Sequence, residues 1–232
     1  MKNNSLYWVL GGGCVVNFAA HLWFYPSLPQ VIPIHWGMDG TVNGWGPRYV
    51  SLILAALPLL MLILMRVLPA ADPKRQNYEK FSGIYRGFII GITVFMAAVS
   101  WLTELSVFGL LPDGDNLVGN IIVGSVGLLF LLLGNYMPRI KQNYYMGCKT
   151  PWALADEHNW NRTNRMGGIV FVVMGLLMLV SCLFSGLLGT GGTMVLILGG
   201  IFGGTGWIYL YSFLVFKGIM KQRRALCCAL ST

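Results

Sequence analysis

Six apolar runs of about 20 residues constrain this chain more than any other feature, because about 20 helical residues cross a hydrocarbon core. They cover approximately 6–24, 49–68, 85–105, 117–136, 167–188 and 193–216. Composition agrees with that reading: 56% of residues are hydrophobic and 10% charged, with mean hydropathy +0.65. Soluble domains average about 45–50% apolar and 25% charged residues. The expected fold is an all-α integral membrane protein with six transmembrane helices. No convincing internal repeat is visible, so an inverted-repeat transporter has little support. The first run is long enough to span and lacks a small-x-small cleavage site, so it is expected to be a helix rather than a cleavable signal.

Charge then orients the helices. Fifteen of the 16 Lys and Arg residues fall in one alternate set of connections and termini, and Arg48 stands alone in the other. Basic residues concentrate in cytoplasmic loops. Both termini and loops 69–84 and 134–168 are therefore expected in the cytoplasm. Loop 25–48, the loop holding Asp113 and Asp115, and the turn at Gly189–Gly192 lie outside. That turn is expected to fold the last two runs into a tight antiparallel hairpin. The same asymmetry accounts for the net charge of +8, so no direct contact with nucleic acid is expected; the surrounding partner is membrane lipid. Five cysteines (Cys14, Cys148, Cys182, Cys227, Cys228) offer neither an even count nor ligand spacing. No disulfide framework and no cofactor are expected.

The outer loop 25–48 reads YPSLPQVIPIHWGMDGTVNGWGPR. Pro26, Pro29 and Pro33 block a helix, and the alternation at 31–34 predicts an extended piece. Asp39-Gly40 and Asn43-Gly44 are dipeptides that close hairpins. A small extracytoplasmic cap follows, with a short β-hairpin as its candidate structure and Trp36 and Trp45 at headgroup level. His35 stands in this cap, His21 near the outer end of the first helix, and Glu104 near the outer end of the third. These three and Asp39 form a candidate cluster for sensing or binding. Two histidines and a carboxylate are also zinc-ligand types, although no HExxH spacing supports a metal at His21, His35 and Glu104. A metal-dependent hydrolase with this outward site and a small transporter thus remain alternatives, since ionisable groups in membrane spans are functional candidates.

The inner loop 134–168 is long, basic and rich in Asn, Tyr and Trp. Pro138 predicts a sharp end to the fourth helix. Thr150-Pro151 reads as an N-cap followed by proline at the first helical position. A helix is expected from Pro151 to about Arg165, presenting Trp152, Ala155, Asn159 and Thr163 on one face, unless Asp156 and Glu157 cap a second piece. Gly167-Gly168 permits close packing or a bend at membrane re-entry. The loop reads either as a docking surface or as a structural re-entry segment.

Three motifs here resemble a known family. GNYMP at 134–138, NYYMGCKTPW at 143–152 and the W-x-x-T-x-R-x-G-G pattern at 160–168 are similar to the signature of the SdpI family. LPQVIPIHWGMDGTVNGW at 28–45 is similar to the uncharacterised domain that commonly precedes it. The resemblance implies two regions: 1–110 with the outer loop, and 111–232 with the motif loop. It implies a six-helix immunity protein of the bacterial cytoplasmic membrane that resists a secreted peptide toxin at the outer face and captures a cytoplasmic transcriptional repressor through the inner loop. Carried over by position, the cytoplasmic motif is Asn135, Tyr136, Pro138, Asn143, Gly147, Thr150, Pro151, Trp152, Trp160, Thr163 and Arg165. The chain departs from the pattern at Asn164, where histidine is common, and at Ala155, where a hydroxyl residue is frequent and Asp156 is the alternative cap.

Overall fold

A computed structural model describes residues 4–37, 40–111 and 117–220. Asp39, Asp113, Asp115, Cys227 and Cys228, all named above, lie outside the described residues. Helix α1 (Asn4–Phe24) leads through a 3-10 turn (Tyr25–Ser27) to strands β1 (Val31–Trp36) and β2 (Val42–Pro47). Helix α2 (Tyr49–Ala71) returns, followed by α3 (Asn77–Lys80), α4 (Ser82–Ser100) and α5 (Leu102–Val107), then α6 (Leu117–Tyr136). A 3-10 turn at Met137–Arg139, α7 (Pro151–Ala155), α8 (Glu157–Leu183) and α9 (Ser185–Phe216) complete the order.

Six helical segments are long and apolar enough to cross a membrane, α4 and α5 counting as one. Their surfaces support that role, because large apolar side chains such as Trp23 and Leu187 are more than 80% exposed while His21, Glu104, Asn164 and Ser212 are buried. A soluble bundle has the opposite distribution.

The hairpin forms as the alternation predicts, antiparallel, with Val31 opposite Pro47 and Pro33 opposite Trp45. Its last described pair is Trp36 with Val42, and just beyond it the Gly37 amide donates to the Thr41 carbonyl at 2.8 Å. Asn43-Gly44 is not the turn: both residues lie within β2, and Gly44 pairs with His35 beside a register irregularity.

Two further expectations are met in part. The segment from Pro151 to about Arg165 takes the split form offered as the alternative to one helix, and its second piece is not short but runs unbroken from Glu157 into the membrane span, ten residues before the apolar run begins. Asp156 makes the difference, for its carboxylate accepts the Asn159 amide at 2.7 Å in an N-cap and starts a new helix. The last hairpin reverses between Phe184, which ends α8, and Gly189, the first residue of the expected turn, where the backbone is non-helical at φ 62°, ψ 174°; one positive-φ residue suffices, and the glycines after it continue the helix.

α6 and α8 make the most intimate pair. A Cβ on Gly134 would lie 2.7 Å from the Gly168 carbonyl oxygen, and one on Gly175 would lie 2.6 Å from that of Gly127. Absence of side chains lets these backbones touch, the usual basis of membrane helix association. Gly168 therefore serves close packing rather than a bend. The main buried cluster sits at the basic end of the bundle, where Leu62, Tyr78, Phe81, Tyr85, Ile140 and Trp160 meet.

Candidate functional site

At the end of the bundle opposite most of the basic residues, α1 and α5 bring two of the predicted cluster residues together. His21 Nδ1 lies 2.6 Å from Glu104 Oε1, and both side chains are essentially inaccessible. His21 Nε2 lies 3.1 Å from Ser100 Oγ. The single Ser100 hydroxyl hydrogen goes to the Ala97 carbonyl at 2.7 Å, so Ser100 accepts and Nε2 of His21 carries a hydrogen. One further proton is then shared across the short His21–Glu104 contact, and the pair is neutral overall wherever it sits. The second carboxylate oxygen of Glu104 has no partner among the described residues. The imidazole lies 4.1 Å from the Trp101 ring, whose indole N–H donates to Asn17 at 2.8 Å. Ser100, Trp101 and Asn17 carry no sequence signal, since each looks like an ordinary residue of a span.

His35 is not part of this pair. It is exposed on the hairpin, with Nδ1 2.5 Å from Asn43 Oδ1. Among the described residues no three His, Cys, Asp or Glu side chains converge as metal ligands would. The hairpin nonetheless rests on the same helix segment, because the Thr103 hydroxyl donates to the Pro33 carbonyl at 3.1 Å. Above that contact a cavity of about 560 Å³ opens between the hairpin and α5, lined by Val31, Pro33, Val42, Trp45 and Val107 among others. Trp45 is exposed beside it and Trp36 is half-buried in β1.

At the basic end, the motif loop is a folded polar layer. Asn143 is fully buried; its Oδ1 accepts the Tyr145 and Met146 amides at 2.9 and 2.6 Å, and its Nδ2 donates to the Lys141 and Met146 carbonyls. Thr150 caps α7 by accepting the Ala153 amide at 3.1 Å and lies 2.5 Å from Ser212 Oγ of α9. Since Ser212 donates to Asn159 at 2.8 Å, Thr150 is the donor to Ser212. Thr163 also donates to Asn159, and Trp160 donates through its indole to the Ile140 carbonyl at 2.8 Å. Asn164 receives the Cys148 amide and donates to the Trp160 carbonyl. Gly147 is at φ 106°, where a Cβ would meet Asn164 Oδ1 at 2.4 Å. Trp152 packs 5.2 Å from Phe213, ring to ring.

The predicted motif thus divides between buried and exposed residues. Asn143, Thr150, Trp160 and Thr163 hold the layer together, while Asn135, Tyr136, Pro138, Pro151 and Arg165 are exposed, with Tyr144 and Tyr145 beside them. Sequence reading missed Asp72, which docks the other inner loop. Its carboxylate accepts the Tyr78 hydroxyl at 2.9 Å, the Lys74 amide at 2.7 Å and the Tyr144 amide at 2.9 Å. Burial and the Asp72 bond push the Tyr78 hydroxyl well above its ordinary pKa. Burial alone pushes the Cys148 thiol up to about 11.

Six candidate spans, an opposite-end cap over a buried ionisable pair and a polar layer at the basic end define a multi-pass membrane protein. Residues 139–212 match the SdpI/YfhL protein family, and residues 12–62 match a domain of unknown function, DUF1648. The chain is 27% identical over 190 residues to Immunity protein SdpI of Bacillus subtilis (strain 168), covering 80% of this chain and 84% of that one. The SdpI-family resemblance read from the motifs is thereby shown, with the DUF1648 region ahead of it. No solved structure matches.

Proposed function

We propose that this chain is an immunity protein of a bacterial cytoplasmic membrane that resists a secreted antimicrobial peptide. The observation that carries the reading is the cavity between the hairpin and α5, which is lined by apolar side chains such as Val31, Val42 and Trp45 together with Thr41 and Ser106 and lies on the side with few basic residues. An apolar peptide side chain fits such a pocket, and the exposed Trp45 ring is a suitable anchor for it. The name of the Bacillus relative supports immunity as the role. Thr103 and Glu104 lie directly beneath the hairpin, so occupation of the pocket bears on the His21–Glu104 pair. His21, His35, Trp36 and Glu104 are then sensing residues rather than metal ligands.

The inner layer is the proposed face for a cytoplasmic repressor. Its exposed Tyr144, Tyr145, Lys149 and Arg165 make contact, and the buried Asn143, Trp160 and Thr163 shape it. Tyrosine and arginine are favoured contact residues.

A toxin-susceptible host expressing the chain should survive the peptide, and Trp45→Ala should lower the tolerated dose about tenfold, a typical cost for an interface anchor. Unchanged killing with the protein confirmed in the membrane rejects immunity. Wild-type survival by Trp45→Ala rejects the pocket.

A further inference from the structure

A second cavity, of about 360 Å³, opens at the basic end between α1, the end of α2 and α3. Arg66, Arg75, Tyr7 and Asn4 line it, with Glu79 as its acidic member. The Arg66 guanidinium lies 4.6 Å from the centre of the Tyr7 ring and donates to Asn4 Oδ1 at 3.3 Å, which fixes its plane. Most of its five donors remain unspent. Among the described residues no hydrogen bond or carboxylate holds the Arg75 guanidinium, and the His21–Glu104 pair is the only salt bridge. Arg86 stands near Tyr7 and donates to the Ser82 carbonyl. Two guanidiniums with free donors around one cavity suit a phosphate, whose oxygens accept paired N–H bonds.

Depth identifies the source of that phosphate. Arg66 lies five residues before the end of α2, about 7.5 Å along the axis. Its neighbours Ile63, Leu64 and Val67 are exposed, as is Trp8 beside Tyr7. In a membrane such side chains face acyl chains, which places Arg66 at the boundary between headgroups and hydrocarbon. We propose that this cavity binds the phosphate headgroup of an anionic phospholipid in the leaflet at the basic end. Occupancy ties α1 to α2 and α3, next to the cluster formed by Tyr78 and Tyr85.

The full chain is tested in phosphatidylcholine vesicles, with and without phosphatidylglycerol, by its thermal unfolding midpoint. Phosphatidylglycerol is expected to raise the midpoint by about 5 °C, as ligand at high occupancy does for a chain of this size. Arg66→Gln with Arg75→Gln should lose most of that rise. Arg139→Gln with Lys141→Gln, elsewhere on the basic face, should keep it, which separates a site from diffuse attraction. Where the double variant fails to fold, Arg75→Gln alone, lacking any partner to lose, should lose about half the rise. No rise in the wild type, or an equal rise in the Arg66 and Arg75 variants, overturns the proposal. An equal rise with inorganic phosphate in plain phosphatidylcholine overturns the lipid and assigns the site to free phosphate.

Discussion

Breaking the His21–Glu104 pair one side at a time should be far more damaging than removing it whole. In His21→Leu, Glu104 keeps its burial but loses the contact at 2.6 Å, leaving neither carboxylate oxygen partnered. Removing one partner of a buried ionisable pair costs about 3–5 kcal/mol. In Glu104→Leu the remaining histidine can stay neutral, so the loss is that of one buried hydrogen-bond partner, about 1–3 kcal/mol. The double variant leaves no ionisable group in the site, and Ser100 keeps Asn17 within reach at 3.5 Å. What it forfeits is the stacking of the imidazole on Trp101, about 0.5–1.5 kcal/mol, together with imperfect packing of the new side chains. The sum of the singles, about 4–8 kcal/mol, thus exceeds the double by about 2.5–7.5 kcal/mol before the packing loss is subtracted. A double-mutant cycle by reversible unfolding in mixed micelles reads this coupling directly. An ordinary hydrogen bond between membrane helices couples by about 0.6 kcal/mol and at most about 1.7. A coupling within that range refutes the argument, because the pair would then behave as one more polar contact.

Two other predictions concern the inner layer. Gly147→Ala puts a Cβ 2.4 Å from Asn164 Oδ1 at a backbone φ of 106°, and should cost more than about 2 kcal/mol; a midpoint within a degree of wild type refutes it. Cys148, raised from 9.0 to about 11, should hold about 100-fold less thiolate at pH 8 than an unperturbed thiol. In a variant with the other four cysteines changed to serine, maleimide labelling should be slow in proportion and accelerate about tenfold per pH unit up to about pH 10. Labelling at the rate of a free thiol refutes the burial.

What was legible in the sequence follows from the range of each interaction. Helices longer than the hydrocarbon thickness, the Thr150-Pro151 start and the extended piece through Pro33 depend on neighbours within a few residues, so composition and spacing carry them. The inner layer does not. Asp72 is an unremarkable acid until Tyr144, 72 residues later, places its amide on it, and Asn159 gains its meaning from Ser212, 53 residues away. The Asn and Trp residues of loop 134–168 read as a surface because polar side chains are exposed in most proteins. At the end of a membrane bundle they instead satisfy loop carbonyls and amides that a chain leaving its helices has uncovered. Burial of Asn143 and Trp160 narrows the candidate contact surface to the exposed Arg165 of the predicted motif, with Tyr144 and Tyr145 beside it.

That layer also decides which helix can connect the two ends. α6 and α8 are locked through Gly134 and Gly168, backbone against backbone, and a pair packed so closely cannot slide without clashes. α4 meets α6 much less closely, with an apolar cavity of about 500 Å³ between them, lined by Gly87, Phe88 and Leu133 among others. The outer end of α4 carries Ser100 and continues into Thr103 and Glu104 under the hairpin. Its inner end carries Tyr85, whose ring lies 5.1 Å from that of Tyr78, and Tyr78 donates to Asp72 at the junction of the two inner loops. A displacement of α4 is therefore resisted by few contacts on its α6 side and is felt at both sites. If toxin in the outer pocket changes the inner face, α4 is the element whose two positions must differ in affinity for the peptide.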